Sequence, residues 1–124
     1  MRKMKWIAGI FMISILSAGL FAGCATTGSD MAYSNRGFEE LSKHNYTKAE
    51  EYLEKALEIN SNNAYAVLNM GVVYQNTGRP EKARQMYQKV IDLESQEPAE
   101  RSNEDWARGK KLSEIAKKNL ETCK

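Results

Sequence analysis

The side chains able to do covalent chemistry are few in this sequence of 124 residues: two thiols, Cys24 and Cys123, and one imidazole, His44. A thiol can accept an acyl chain, pair in a disulfide or bind a metal ion, and an imidazole can act as a general base. No pair of cysteines or acidic residues stands at metal-ligand spacing near His44, and there is no glycine-rich phosphate loop. The sequence therefore predicts a non-enzyme with no catalytic residue, cofactor, metal or small-molecule substrate.

Cys24 directly follows a basic and then apolar N-terminal segment. Arg2, Lys3 and Lys5 are its basic residues, and an almost unbroken apolar run, WIAGIFMISILSAGLFAG, follows at positions 6–23. This order is that of a secretory signal peptide covering residues 1–23. A helix of this length would also reach about 27 Å, which suffices for a retained transmembrane anchor. Length alone leaves both interpretations open.

The residues before Cys24, from Leu20 to Gly23, resemble the lipobox of bacterial lipoproteins. The resemblance implies that the Cys24 thiol receives a diacylglycerol, that the chain is cut before it, and that the mature protein carries fatty acyl chains such as palmitate. Residues 24–30 are then the lipidated cysteine and a flexible tether, because Ala25 to Asp30 are mostly small and polar. The alternative is that Cys24 is an apolar residue ending an uncleaved helix.

Net charge bears on the class of partner. The full chain carries +2, with 27% charged and 42% hydrophobic residues, which is ordinary for a globular protein. Removal of residues 1–23 takes away three basic residues and changes the net charge to about −1. No basic run or aromatic-interleaved basic stripe remains in the rest of the chain. The sequence therefore predicts no nucleic-acid partner.

An internal repeat with a period of 34 residues fills the middle of the chain, where Asp30 to Ser61 aligns with Ala64 to Ser95. A fixed period of this size indicates stacked supersecondary units. The alignment resembles the tetratricopeptide repeat family, whose helix-turn-helix unit places small residues at three positions. Those positions are here Gly37, Ala49 and Ala56 in the first copy and Gly71, Ala83 and Val90 in the second. The resemblance implies an all-α fold in which residues 30–95 form two repeats, 30–63 and 64–95, of a short α-solenoid.

Local signals predict where the helices of these repeats begin and end. Thr47 and Glu50 have the spacing of a capping box, which predicts the start of a helix. Gly78 followed by Pro80 predicts the end of one helix and the first turn of the next. The pair Asn62–Asn63 predicts the turn between the two repeats.

Residues 96–124 are predicted to be a linker and a capping helix. Ser95 to Ser102 is polar and contains Pro98, which indicates a linker. Apolar residues then recur at helical spacing, which predicts a helix from about Lys110 to Thr122, with Asn103 as its earliest start. Such a helix would cover the face that two repeats leave open. Trp106 is interpreted as a packing plug against the second repeat, with ligand stacking as the alternative.

In the tetratricopeptide repeat family, the first helix of each repeat lines a concave groove that receives a peptide or helix of a partner. The residues at these positions are Met31, Ser34, Asn35, Phe38, Leu41 and Ser42 in the first copy and Tyr65, Leu68, Asn69, Val72, Gln75 and Asn76 in the second. This apolar and amide-rich set suits a hydrophobic peptide or a helix. Asn35 and Asn69 are the residues that most specifically suggest peptide binding, because an amide side chain both donates hydrogen bonds to and accepts them from a peptide backbone. A hydrogen bond between helices of the stack is an equal alternative.

The family also binds C-terminal carboxylates with a clamp of lysines and an asparagine, and this chain has Ser34 and Phe38 at two of the clamp positions. That ligand is therefore not expected. The leading hypothesis is a membrane-anchored scaffold that binds an envelope protein partner in the bacterial cell envelope. Ala25, next to the lipidated cysteine, implies outer-membrane sorting, facing the periplasm, in a Gram-negative host. The alternatives are a pilotin-like assembly factor for pilus or secretion components and a regulator of cell-wall enzymes.

Overall fold

The structure is a computed structural model that describes residues 26–124, with side chains from Asp30 onward. The predicted signal peptide and Cys24 lie outside the described residues. The five helices of the described part are α1 (Thr26–Ser42), α2 (Tyr46–Ile59), α3 (Ala64–Asn76), α4 (Pro80–Asp92) and α5 (Leu112–Thr122), with a short 3₁₀ turn at Asp105–Ala107. The all-α fold is thus confirmed. No helix among residues 26–124 is long and apolar enough to cross a bilayer.

The helices pair as two hairpins that stack side by side. The helix α1 packs on α2 and α3 on α4, while α2 and α1 also contact α3. The turn of the second hairpin contains Gly78 at φ 72°, and Pro80 is the first residue of α4, as predicted. Asn63 caps α3, because its side chain accepts a hydrogen bond from the Ala66 amide at 2.9 Å. The helix-turn-helix repeats expected from the 34-residue period are therefore present.

Small residues sit where the helices of each hairpin cross. A Cβ atom added at Gly37 would lie 2.6 Å from the Leu53 side chain, and one added at Gly71 would lie 2.5 Å from the Tyr87 ring. Helices packed this closely need short side chains at the contact, since interaxial distances are about 8–10 Å. Ala49 is fully buried at the first crossing, and the same holds for its counterpart in the second repeat, Ala83.

The helix α5 closes the end of the stack. It packs on α4 and, more lightly, on α3, which places it where the first helix of a third repeat would lie. Leu112, Ile115 and Ala116 join Tyr87 and Val90 in one buried cluster, so α5 covers the outer apolar face of the second repeat. The capping role predicted for the C-terminal helix fits this packing, although the helix starts at Leu112, two residues later than expected.

Two local expectations differ from the structure. The capping box is wrong: Asn45 is the N-cap of α2, and both Glu50 carboxylate oxygens instead accept hydrogen bonds from Arg79 at 2.7 Å, an ion pair between the two repeats. Most of the expected flexible tether is helical, because α1 already begins at Thr26. Asp30 is buried in this helix and accepts hydrogen bonds from the Asn60 and Asn63 side chains at 2.9 and 3.0 Å, which ties the first turns of α1 to the stack.

Candidate functional site

A large cavity lies on the face of the stack formed by α1 and α3, the first helices of the two repeats. Its volume is about 640 Å³. Ten of the twelve side chains predicted for the groove line it: Met31, Ser34, Asn35, Phe38, Leu41, Tyr65, Leu68, Asn69, Val72 and Asn76. Ser42 and Gln75, which were also predicted there, are not among the residues that line it. The lining side chains converge because α1 and α3 run side by side in the same orientation, so equivalent repeat positions point to the same side. We call this face the groove.

The groove has an apolar floor and amphipathic walls. Leu41 and Leu68 are buried at its base, with exposed fractions of 5% and 7%. Phe38, Tyr65 and Val72 are half-buried beside them, so each still presents apolar surface to the cavity. A site of this size and lining matches the usual range of ligand cavities, about 300–1,000 Å³.

The amides of the groove are largely unused within the protein. The Asn76 amide donates to the Val72 carbonyl at 2.8 Å, one turn back in the same helix. Asn35 is exposed and Asn69 is half-buried, and among residues 30–124 neither side chain forms a hydrogen bond with another described residue. The alternative that these two amides join helices of the stack therefore finds no support in the described part. Both remain able to bond to a ligand backbone.

An irregular segment that we call the strap, residues 97–107, forms the opposite wall of the cavity. Backbone hydrogen bonds pin its base: the Ala99 amide donates to the Lys110 carbonyl at 2.8 Å, and the Leu112 amide donates to the Glu97 carbonyl at 2.9 Å. The Gly109 amide donates a hydrogen bond to the Ala99 carbonyl at 2.8 Å, and Gly109 has a φ of 77°. The strap is thus a closed loop rather than a loose linker.

The strap touches both repeats across the groove. The Tyr65 hydroxyl on α3 donates a hydrogen bond to the Pro98 carbonyl. On α1, the Arg101 guanidinium lies 4.8 Å from the centre of the Phe38 ring, within cation–π range. The Ser42 hydroxyl lies 3.0 Å from Oδ1 of Asn103. A segment of the chain's own C-terminal region therefore bounds the groove, a contact that the sequence analysis did not predict.

The strap was not predicted from the sequence, because the apolar residues of this segment do not recur at helix or strand spacing. A signal was nonetheless present: the polar linker containing Pro98 runs on to a glycine, Gly109, with a large aromatic, Trp106, between them. Trp106 is half-buried, packs against the cluster of the second repeat and lines the cavity, with the Lys118 ammonium 3.7 Å from its ring centre. It accordingly serves as a packing plug and at the same time presents its ring to the cavity.

The strap also determines the electrostatics of the groove. Glu97, Glu100 and Glu104 line the cavity from the strap side, with Arg101 as the basic residue of the same segment. Burial raises the pKa of the Tyr65 hydroxyl, and the nearby carboxylates of Glu97 and Glu100 raise this pKa further. The negative charges of the strap therefore act on Tyr65, the side chain whose hydroxyl bonds the strap to α3.

Two of the reactive side chains, His44 and Cys123, lie within the part of the chain that the structure describes. His44 lies in the turn between α1 and α2, with Nδ1 at 3.1 Å from the Tyr46 hydroxyl, at one edge of the cavity. Cys123 is buried at the end of α5. Within residues 26–124, no three His, Cys, Asp or Glu side chains converge to hold a metal ion. What the arrangement offers a ligand is shape, apolar contact, amide hydrogen bonds and negative charge.

Comparison with known proteins agrees with this geometry. A sequence model of the tetratricopeptide repeat matches residues 40–101, from the end of α1 through α4 and into the strap. The match thus includes the second helix of the first repeat, the whole second repeat and the linker segment that follows it. No curated protein matches the chain.

Proposed function

The chain belongs to the tetratricopeptide repeat family, and we propose that it is a lipid-anchored scaffold that holds a peptide segment of another protein in the bacterial cell envelope. The family supports a protein partner in general. The convergence of the predicted groove residues on one cavity, with the amides of Asn35 and Asn69 unpaired among the described residues, carries the proposal that the groove is where the partner binds.

Two kinds of interaction would hold the peptide. Apolar side chains of the partner would cover Leu68 and Val72, at about 25 cal/mol for each Å² removed from water. The amides of Asn35 and Asn69 would bond to the partner backbone, each bond contributing about 0.5–1.5 kcal/mol net. These two amides are one repeat apart on neighbouring helices, so together they would align the partner along the groove.

The membrane anchor in this proposal is Cys24, which precedes α1 by two residues. Two residues of chain span at most about 7 Å, so a lipid on Cys24 would keep the first repeat against the membrane surface. Two acyl signals are needed for stable anchoring, since a single chain binds only reversibly. The diacylglycerol implied by the lipobox resemblance would supply more than one chain.

The anchor is tested by Cys24→Ser in cells fed labelled palmitate. We expect the variant to accumulate as an unprocessed precursor without label, whereas Cys123→Ser, the matched control, is labelled and processed like the unchanged protein. Normal labelling of Cys24→Ser would refute the assignment of Cys24 as acyl acceptor, and it would leave the proposal for the groove standing.

The groove is tested by a photo-crosslinking amino acid placed at Asn35, whose side chain is exposed at the cavity, in intact cells. A matched probe replaces Glu51, which is exposed on α2 and does not line the groove. We expect a discrete crosslinked protein from the Asn35 probe that the Glu51 probe does not give. Equal products from both positions, or none from either, would contradict binding in the groove.

A further inference from the structure

Three carboxylates, Glu97, Glu100 and Glu104, face the cavity from the strap and take part in no ion pair with another described residue. All three are exposed, so none has to be neutralised for the protein to fold. The basic residue of the strap, Arg101, is already engaged: its guanidinium lies over the Phe38 ring and 3.9 Å from Glu39. The strap side of the groove therefore carries an excess of uncompensated negative charge.

The free amides of the groove restrict which conformation of a partner they can bind. In a helix, the backbone N–H and C=O groups are already paired with one another except at the two ends. A helical partner therefore offers few backbone groups to Asn35 and Asn69, which line the cavity. An extended segment is thinner and presents its backbone N–H and C=O groups, which are the groups that Asn35 and Asn69 can pair with.

These observations narrow the partner in the function proposed above. We propose that the groove takes an extended peptide that carries Lys or Arg next to apolar residues. The apolar side chains pack on Leu68 and Val72, and the cation is received by the carboxylates of the strap. This inference rests on the proposed function, because it specifies the ligand of the same groove.

The size of the charge effect follows from the exposure of the carboxylates. An exposed ion pair contributes about 0.2–1 kcal/mol, which is roughly a 1.4- to 5-fold change in affinity. A peptide with two cations should therefore lose about 2- to 30-fold in affinity when the strap carboxylates are replaced. The difference should shrink at high salt, where exposed charges are screened.

The experiment is a selection of random displayed peptides on the full-length chain, held in nanodiscs of neutral phosphatidylcholine so that neither detergent nor anionic lipid competes. Empty nanodiscs remove lipid-binding peptides beforehand. A selected peptide is then titrated against the unchanged chain, a strap variant with Glu97→Gln, Glu100→Gln and Glu104→Gln, and a control. The control removes the same charge from α2, where the exposed residues Glu51, Glu54 and Glu58 are each changed to Gln.

The expected result is enrichment of peptides that combine Lys or Arg with apolar residues, weaker binding to the strap variant by about 2- to 30-fold, and unchanged binding to the α2 control. Enriched peptides without a cation, or basic peptides that bind the strap variant and the unchanged chain equally, would overturn the inference. In that case the proposed function survives if Asn35→Ala with Asn69→Ala weakens binding. A selection that enriches nothing above empty nanodiscs would overturn both.

Discussion

Gly71 lies in the middle of α3 against the ring of Tyr87. Replacing it with alanine has two opposing effects on the stability of the fold. Alanine in a helix interior is favoured over glycine by about 1 kcal/mol. However, the new Cβ would lie 2.5 and 2.8 Å from two ring carbons of Tyr87. Ordinary carbon contacts are about 3.5–4.0 Å long, so the ring would have to move by about 1 Å.

The Tyr87 ring has little freedom to make this movement. Its side chain is fully buried, and its hydroxyl donates a hydrogen bond to Oε1 of Gln75 at 2.6 Å. Overpacking a well-filled core costs about 1–3 kcal/mol, and contacts as short as 2.5 Å place this substitution in the upper part of that range, at about 2–3 kcal/mol. This cost outweighs the gain in helix propensity of about 1 kcal/mol. We expect Gly71→Ala to lower the free energy of unfolding by about 1–2 kcal/mol and the Tm by roughly 4–16 °C, since each kcal/mol shifts Tm by about 4–8 °C in a domain of this size.

Thermal unfolding followed by far-UV circular dichroism measures this loss, and a double-mutant cycle assigns it to the ring. Tyr87→Leu should cost less in the Gly71→Ala background than alone, with a coupling energy of about 0.5–3 kcal/mol. A Gly71→Ala variant as stable as the unchanged protein, or more stable, would refute the close approach of α3 and α4. So would strictly additive effects of the two substitutions.

Three further predictions concern the ion pair between the repeats, the strap and the buried thiol. Hydrogen bonds from Arg79 lower the pKa of Glu50, so this pair stabilises the fold above the ordinary carboxyl pKa and the contribution is lost as pH falls through the lowered value; Glu50→Gln should therefore lower Tm at neutral pH but not in strong acid. Tyr65→Phe removes the hydroxyl that bonds to Pro98, and amide exchange in the strap should accelerate roughly 2- to 12-fold while exchange in α5 is unchanged. Cys123 is buried, so mass spectrometry should detect its alkylation by iodoacetamide only as the protein unfolds.

The repeats and the groove were predictable from sequence because packing imposes a pattern on them. Close crossing of helices requires small residues, and these recur at Gly37 and Gly71 with the period of the repeat. Once this register is fixed, it also fixes which side chains of α1 and α3 share a face. That is why residues as far apart in the chain as Asn35 and Asn76 both line the cavity.

The conformation of the strap and the residue at which α2 starts were not predictable in the same way, because contacts between distant parts of the chain determine both. The strap is held by backbone bonds such as that from Ala99 to Lys110, which leave no trace in side-chain periodicity. The capping-box pattern at Thr47 and Glu50 was misleading, because the Glu50 carboxylate has a stronger partner in Arg79 of the next repeat. A capping motif in the sequence does not form when one of its side chains has a charged partner elsewhere in the fold.

The central claim is that a peptide lies in the groove between α1, α3 and the strap. The most direct test is the detection of intermolecular nuclear Overhauser effects between a selected peptide and the methyl groups of the full-length chain in nanodiscs. We predict contacts from the peptide to Leu41, Leu68 and Val72, which line the cavity, and none to Ile59, which is exposed on α2. Contacts to Ile59 without contacts to the cavity methyl groups would contradict the account.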